Sequence, residues 1–133
     1  MIKKNKKACE ELWAKNKYLV LSKSQRAYKE IREYLKLDIV DVVYLNEVIN
    51  NVINMEENRG ECVNAFQHIW GYFKTEATNE EKRAFCVLIQ EYLECKKEKA
   101  DLVSYINYLL LKYPNEYLNN STLLESDENE TMA

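Results

Sequence analysis

The chain contains very few residues that interrupt regular secondary structure. Among its 133 residues there are only two glycines, Gly60 and Gly71, and one proline, Pro114. The frequent tight turns of an all-β fold depend on these residue types, so their scarcity favours long helices. The length suits one domain, and an apolar content of 47% is enough to fill one core. We therefore predict a single all-α domain.

The motifs of common enzymes and metal sites are also missing. There is one histidine, His68, and no Gly-rich phosphate loop, G-x-S-x-G or H-E-x-x-H motif. The cysteines are scattered without a C-x-x-C pair, so we expect no metal and no cofactor. Catalysis by this chain on its own is not favoured. Two cysteines on apolar helical faces, Cys9 and Cys86, are interpreted as small core residues.

The sequence gives no sign of a membrane or secreted protein. No apolar run approaches the roughly 20 residues that a membrane span requires, and no signal-peptide pattern precedes the first helical segment. Scattered cysteines without evident partners suit a reducing compartment. The expectation is a cytoplasmic protein with no membrane partner.

Charge is distributed very unevenly along the chain. Residues 1–36 carry 11 Lys/Arg against 4 Asp/Glu, a net of +7, whereas residues 37–133 carry 8 against 18, a net of −10. The overall net charge is only −3. Such asymmetry indicates either an anionic partner for the basic part or charge pairing between the two parts, within one molecule or across a homodimer.

Apolar periodicity in the first half predicts two or three helices. From about residue 5 to residue 35 apolar residues recur along one helical face, with a bend permitted near Ser22 and Ser24. Asp38 is the predicted N-cap of the next helix, which ends at residues 58–60. The run from residue 39 to residue 43 also resembles a strand, although no second strand-like segment is available to pair with it.

Three further helices are predicted in the second half. One runs from about residue 61 to residue 74, and the next opens with a capping box formed by Thr78 and Glu81. Asp101 is the predicted cap of the last, which Pro114 stops before a short turn. The predicted architecture is a compact bundle of about five helices in residues 1–120. Residues 121–133 are polar and acidic and are predicted to be a disordered tail.

Two polar stripes are candidate binding surfaces. Asn64, His68, Gly71 and Thr75 follow one face of the third predicted helix, opposite its aromatic face. This stripe is interpreted either as a solvated or helix-packing face, or as a recognition surface on which Gly71 admits a partner backbone. On the first helix Lys15, Tyr18, Ser22, Arg26 and Lys29 alternate cations with an aromatic ring. That face is either an ordinary charged surface or one that neutralises phosphates and stacks on a base.

Several segments together resemble the YbgA-like domain family. They are Leu12-Trp13, Asn16-Lys17-Tyr18, Ser24-Gln25-Arg26-Ala27-Tyr28, Asn64, the run His68-Ile69-Trp70-Gly71-Tyr72-Phe73-Lys74, and Glu80-Glu81-Lys82. The resemblance covers about residues 8–118. In many larger relatives this domain follows a thiouracil desulfidase-type domain with an iron–sulfur cluster, and is implicated in handling tRNA that carries 4-thiouridine. The resemblance thus implies at most the substrate-binding half of such a protein.

The leading hypothesis is a non-catalytic RNA-binding or accessory module, with tRNA and a separately encoded desulfidase as partners. Cations would contact phosphates, Tyr18 or Tyr72 would stack on bases, and two polar side chains would make directional hydrogen bonds. The predicted nucleic-acid-binding residues are Lys15, Lys17, Tyr18, Arg26, Asn64, His68, Tyr72 and Lys74. The alternative hypothesis is a protein-interaction or self-associating module, because the ten tyrosines suit interfaces.

Overall fold

The computed structural model describes the backbone of residues 2–125 and the side chains of residues 5–125. No strand occurs in this range, which confirms the all-α prediction and leaves residues 39–43 as a loop and the start of a helix. Within it the helices are α1 (Ile2–Lys23), α2 (Gln25–Tyr34), α3 (Val42–Ile53), α4 (Arg59–Trp70), α5 (Asn79–Leu93), α6 (Lys99–Lys112) and α7 (Glu116–Asn119), followed by a 3₁₀ turn (Thr122–Leu124).

Local capping decides where α2, α3 and α4 begin. The bend near Ser24 is confirmed, because its side chain accepts a hydrogen bond from the amide of Ala27 at 3.0 Å and starts α2. The cap of α3 is Asp41, whose Oδ1 accepts from the amide of Val43 at 2.9 Å, so the prediction of Asp38 was wrong. Asn58 caps the start of α4 instead of ending the previous helix. Asp and Asn side chains both accept hydrogen bonds from the first amides of a helix. The sequence offered several of them close together, and the structure shows that Asp41 and Asn58 are the ones that cap.

The two longest later helices begin with reciprocal contacts. The capping box of α5 is confirmed: Thr78 Oγ1 accepts from the Glu81 amide at 3.1 Å, and Glu81 Oε1 accepts from the Thr78 amide at 2.8 Å. Asp101 lies in the first turn of α6 and accepts from the Glu98 amide at 2.8 Å, so it is not the cap residue that we predicted. Pro114 follows the end of α6, as predicted.

Two hydrophobic clusters hold the helices together, and α1 belongs to both. The first is formed by α1, α4, α5, α6 and the C-terminal segment. The second is formed by α1, α2, α3 and the loop before α3, with buried residues Cys9, Val20, Ile31, Val40, Leu45, Ile49 and Val52. A helix of 22 residues is about 33 Å long, which is enough to pass through both clusters.

The folded chain continues beyond the boundary predicted at residue 120. Leu123 and Leu124 are buried in the first cluster, and Thr122 Oγ1 donates to Asn16 Oδ1 at 2.8 Å. Asn107 Nδ2 donates to the Leu124 carbonyl at 3.0 Å. The prediction that disorder begins at residue 121 was therefore wrong for residues 121–125. Its remaining part, residues 126–133, lies outside the described residues.

Candidate nucleic-acid interface

Three of the predicted binding residues lie together with one tyrosine that was not predicted. The Lys17 ammonium lies 5.2 Å from the ring centroid of Tyr18 and 4.9 Å from that of Tyr117. The Tyr72 ring centroid is 6.3 Å from the centroid of Tyr18 and also 6.3 Å from that of Tyr117. We call Lys17, Tyr18, Tyr72 and Tyr117 the lysine–tyrosine cluster. It joins α1, the turn after α4, and α7.

The turns on either side of the cluster fix its geometry. Gly71 ends α4, and a Cβ at this position would lie 3.1 Å from the carbonyl oxygen of His68. The backbone of Gly71 lies in the ordinary right-handed helical region, with φ −53° and ψ −25°, so this close contact is with the preceding turn of its own helix. On the other side Asn115 Oδ1 accepts from the Leu118 amide at 3.0 Å, which starts α7 and places Tyr117 beside Lys17.

Tyr18 is the buried base of this cluster. Its side chain is 7% exposed, and its hydroxyl lies 2.8 Å from that of Tyr72. Burial, followed by the hydrogen bond with Tyr72, raises the pKa of Tyr18, so the phenol remains neutral. A buried ring cannot stack on a base. Of the two predicted tyrosines, the half-exposed Tyr72 is therefore the one that is available for stacking.

The two tyrosines should respond unequally to loss of a hydroxyl. Tyr72→Phe leaves the buried Tyr18 hydroxyl without a partner, which is expected to lower the free energy of unfolding by about 1–3 kcal/mol. Tyr18→Phe leaves the hydroxyl of the half-exposed Tyr72, which can turn to water, and should cost less than about 1 kcal/mol. Urea unfolding followed by circular dichroism measures both. Equal losses would contradict the assignment of Tyr18 as the buried member of the pair.

The polar stripe on α4 divides between surface and interior. His68 is exposed, so it faces outward as predicted. Asn64 is half-buried, and its Nδ2 atom is buried without a hydrogen-bond partner among the described residues. A buried amide cannot reach a ligand in this conformation. His68 and Asn64 therefore do not present one joint hydrogen-bonding surface.

The remaining predicted cations are exposed but lie apart from each other. Lys74 follows Tyr72 by two residues and is exposed. Lys15 is exposed on α1, where residues two apart point to different sides of the helix, so it does not share the direction of Lys17. The start of α2 lies against the first turn of α4, because the Gln25 amide donates to Glu61 Oε2 at 2.9 Å. Arg26 is therefore roughly 15 Å along α4 from the turn that carries Tyr72.

Glu81 lies at the centre of a second cluster of polar side chains, and the sequence predicted only one of its contacts. Its Oε1 accepts from the Tyr113 hydroxyl at 2.7 Å as well as from the Thr78 amide, and its Oε2 contacts Lys112 Nζ at 2.9 Å. The Thr78 amide first, then Tyr113 and Lys112, lower the pKa of Glu81 to about 2. An ionised carboxylate with donors on both oxygens tethers α5 to α6 and is unsuited to proton transfer near neutral pH. The capping box indicated only the Thr78 contact.

Cysteine burial differs in part from the prediction. Cys9 is buried, as predicted, whereas Cys86 is exposed, because it lies on the outer side of α5. Among the described residues no group of three or more His, Cys, Asp or Glu side chains is arranged to hold a metal ion. None of the helices in this part of the chain is both long and apolar enough to cross a membrane.

Comparison with known proteins identifies the family. A family model described as "Protein of unknown function (DUF1722)" matches residues 17–127. No curated protein and no solved structure matches the chain. The matched range begins at Lys17 and includes all four residues of the lysine–tyrosine cluster. Because the match covers more than half of the chain and YbgA-like is the name in use for this domain, the resemblance is confirmed and the protein belongs to the DUF1722 family.

Proposed function

We propose that this domain binds RNA without catalysing a reaction, and that it supplies RNA binding to a separate protein that removes sulfur from thiouridine in tRNA. The observation that carries the proposal is the lysine–tyrosine cluster, in which an ammonium group is held between two tyrosine rings next to a half-exposed third. The link to thiouridine rests on the family resemblance alone.

The cluster combines the two chemical groups that unpaired RNA requires. A lysine ammonium neutralises a backbone phosphate, and a tyrosine ring provides a surface on which any base can stack. Lys17 is half-buried and lies within 5 Å of the Tyr117 ring centroid, so less conformational entropy is lost when it meets a phosphate. Lys74 adds an exposed cation two residues from Tyr72.

The charge distribution is consistent with local binding of an anion by an acidic protein. Lys17 belongs to residues 1–36, which have a net charge of +7, although the sequence pI is about 5.4. The cations of α1 and α2 are therefore the part of the chain that can attract a polyanion. The acidic residues of the remaining chain, which has a net charge of −10 over residues 37–133, would repel nucleic acid and so limit non-specific binding elsewhere on the protein.

The test is fluorescence anisotropy with thiolated tRNA, unmodified tRNA and a DNA duplex at two salt concentrations. Lys17→Ala should weaken binding to all RNAs and reduce the magnitude of the salt slope by about 0.7–0.9, the value for one phosphate contact. Tyr117→Leu should weaken binding about 5- to 150-fold if a base stacks there. Arg26→Ala is the control, because this exposed cation also belongs to the basic segment but is remote from the cluster, so its removal should weaken binding much less than Lys17→Ala does.

Two further results bear on the same titrations. His68→Ala should change the preference among RNAs instead of weakening all of them alike, because a directional hydrogen bond reads a base and a phosphate contact does not. Equal and weak binding to all three nucleic acids, unchanged by Lys17→Ala and Tyr117→Leu, would remove the RNA proposal.

A protein-interaction role is the second candidate function. It is favoured by a group of exposed apolar side chains between α2 and α3, which no described part of the chain covers. Such patches on soluble domains commonly mark contact surfaces for other proteins.

A further inference from the structure

A run of acidic residues begins where the described part of the chain ends. Of the six residues 125–130, four are acidic and none is Lys or Arg. Like charges that are close in sequence repel one another, and runs of this kind often serve as interaction segments. We call residues 125–130 the acidic segment. Its counter-charges have to come from another part of the chain or from a partner.

The fold holds the start of the acidic segment against α1. Thr122 Oγ1 lies 2.8 Å from Asn16 Oδ1 and 3.2 Å from the carbonyl oxygen of Lys15. The two leucines that follow Thr122 are buried in the first hydrophobic cluster, which fixes the chain up to the start of the segment. Glu125 is three residues from Thr122, a separation of at most about 11 Å. The acidic segment therefore begins close to the second half of α1.

Lys17 is the cation beside this anchor point. It follows Asn16 in the chain, and its ammonium group lies 4.9 Å from the ring centroid of Tyr117, five residues before Thr122. One helical turn before and after Lys17 the side chains of α1 are apolar, at positions 13, 14, 20 and 21.

No carboxylate of the described residues forms an ion pair with Lys17. The ion pairs in this part of the chain join other side chains. Glu116, next to Tyr117 on α7, is exposed and takes part in none of them. Lys17 therefore retains an ammonium group that an incoming anion can pair with, close to the point where the acidic segment starts.

The cleft on the other side of Glu125 does not provide a counter-charge. It has a volume of ≈ 850 Å³, lies along α6 and is lined by residues that include Asn107, Leu111 and Pro114. Neither Lys nor Arg occurs among the described residues that line it. Carboxylates placed there would lose water without gaining an ion pair, which is unfavourable. The α1 side is therefore the favoured direction for the acidic segment.

We propose that the acidic segment folds back onto the lysine–tyrosine cluster, where its carboxylates compete with RNA phosphates for the Lys17 ammonium group. Glu130 lies eight residues beyond Thr122, up to about 28 Å along an extended chain, so the segment is long enough to bring its carboxylates to Lys17. It is an autoinhibitory contact that only a ligand with higher affinity for the cluster displaces. This inference rests on the proposed RNA binding and adds its regulation.

The test is the affinity of the full chain for unmodified tRNA, measured by fluorescence anisotropy at low salt. A chain that carries Asp127→Asn, Glu128→Gln and Glu130→Gln together should bind about fivefold or more tightly than the unchanged chain. The reason is that a tethered competitor acts at an effective concentration on the order of mM, and the three substitutions remove it. Salt should reduce the difference, because it screens the ion pairs of the segment.

A matched variant controls for overall charge. It carries Asp38→Asn, Glu47→Gln and Glu56→Gln, which are the same three chemical changes at exposed positions in or next to α3. This helix contributes to the second hydrophobic cluster and supplies no residue of the lysine–tyrosine cluster. The control should alter the affinity by less than about twofold. Circular dichroism verifies that both variants remain folded.

A double substitution locates the contact. In a Lys17→Ala chain the three changes in the acidic segment should alter the affinity by less than about twofold, because the ammonium group that both anions share is missing. Repulsion of RNA by the acidic residues in general would persist in that chain. The comparison therefore separates direct competition at Lys17 from an effect of net charge.

Three results would overturn the proposal. The first is equal affinity of the unchanged and the neutralised chain for tRNA, which would leave RNA binding intact without an autoinhibitory contact. The second is an equal gain in the control variant or in the Lys17→Ala chain, which would assign the effect to overall charge. The third is the absence of tRNA binding by either chain, which would remove the proposed function and this inference with it.

Discussion

A chain that ends after Asn120 is expected to unfold at a much lower temperature than a chain that ends after Glu125. The segment between these ends carries two buried leucines, Leu123 and Leu124, in the cluster that α1, α4 and α6 share. Removing a buried leucine side chain costs about 2–5 kcal/mol. The total free energy of unfolding of a small domain is about 5–15 kcal/mol, so the shorter chain should lose a large fraction of its stability.

Thermal unfolding followed by circular dichroism measures the difference between the two chains. Leu123→Ala in the full-length chain is the matched variant: it should cost about 2–5 kcal/mol, or several degrees or more in the unfolding temperature, without changing chain length. Thr122→Val is a milder one, because it removes only a hydroxyl, which lies 2.8 Å from Asn16 Oδ1 and 3.2 Å from the Lys15 carbonyl oxygen, and should cost about 1 kcal/mol. Equal unfolding temperatures for the two truncated chains would show that the packing of this segment contributes nothing.

The same segment illustrates which parts of the fold could be predicted from sequence. Helix starts with a reciprocal local signal, such as Thr78 and Glu81, were predicted correctly, because both partners lie within four residues. Leu123 and Leu124 were assigned to a disordered tail, since two adjacent leucines in a 3₁₀ turn show no helical period. Their burial depends on α1, more than 100 residues earlier in the chain.

The candidate site was predicted to a similar extent and for similar reasons. Lys17 and Tyr72 were predicted from the segments that carry the family resemblance and not from helical spacing, and only tertiary packing brings Tyr117 beside them. Helical geometry predicted that Tyr18 shares the cationic face of α1, yet it is buried, because α4 packs over that side of the helix. Arg26 follows the break at Ser24, so a stripe drawn along one straight helix could not place it correctly.

Ile49→Ala is expected to destabilise the whole domain, although Ile49 contacts only the cluster formed by α1, α2 and α3. The side chain is 1% exposed, and its truncation should lower the free energy of unfolding by about 2–5 kcal/mol. Asn50→Ala is the control, because the adjacent Asn50 is exposed on the same helix and should change stability by less than about 0.5 kcal/mol.

The two tryptophans allow each cluster to be observed separately. Trp13 packs against the cluster of Ile49, with its ring centroid 5.4 Å from that of Tyr28, whereas Trp70 stacks on Phe85 in the other cluster at 4.6 Å. Trp13→Phe and Trp70→Phe chains each keep one fluorescent reporter. Each serves as the background in which Ile49→Ala is compared with the unchanged residue during urea unfolding.

Both reporters should show Ile49→Ala shifting the midpoint by the same amount. The physical reason is α1, which provides Cys9 and Val20 to one cluster and Tyr18 and Leu21 to the other, so neither cluster survives when the helix unfolds. A shift seen by Trp13 alone would mean that α2 and α3 separate from a stable remainder. The exposed apolar side chains of residues 37–44 would then belong to a locally unfolding unit, whereas coincident shifts mean that they form a surface as stable as the domain itself.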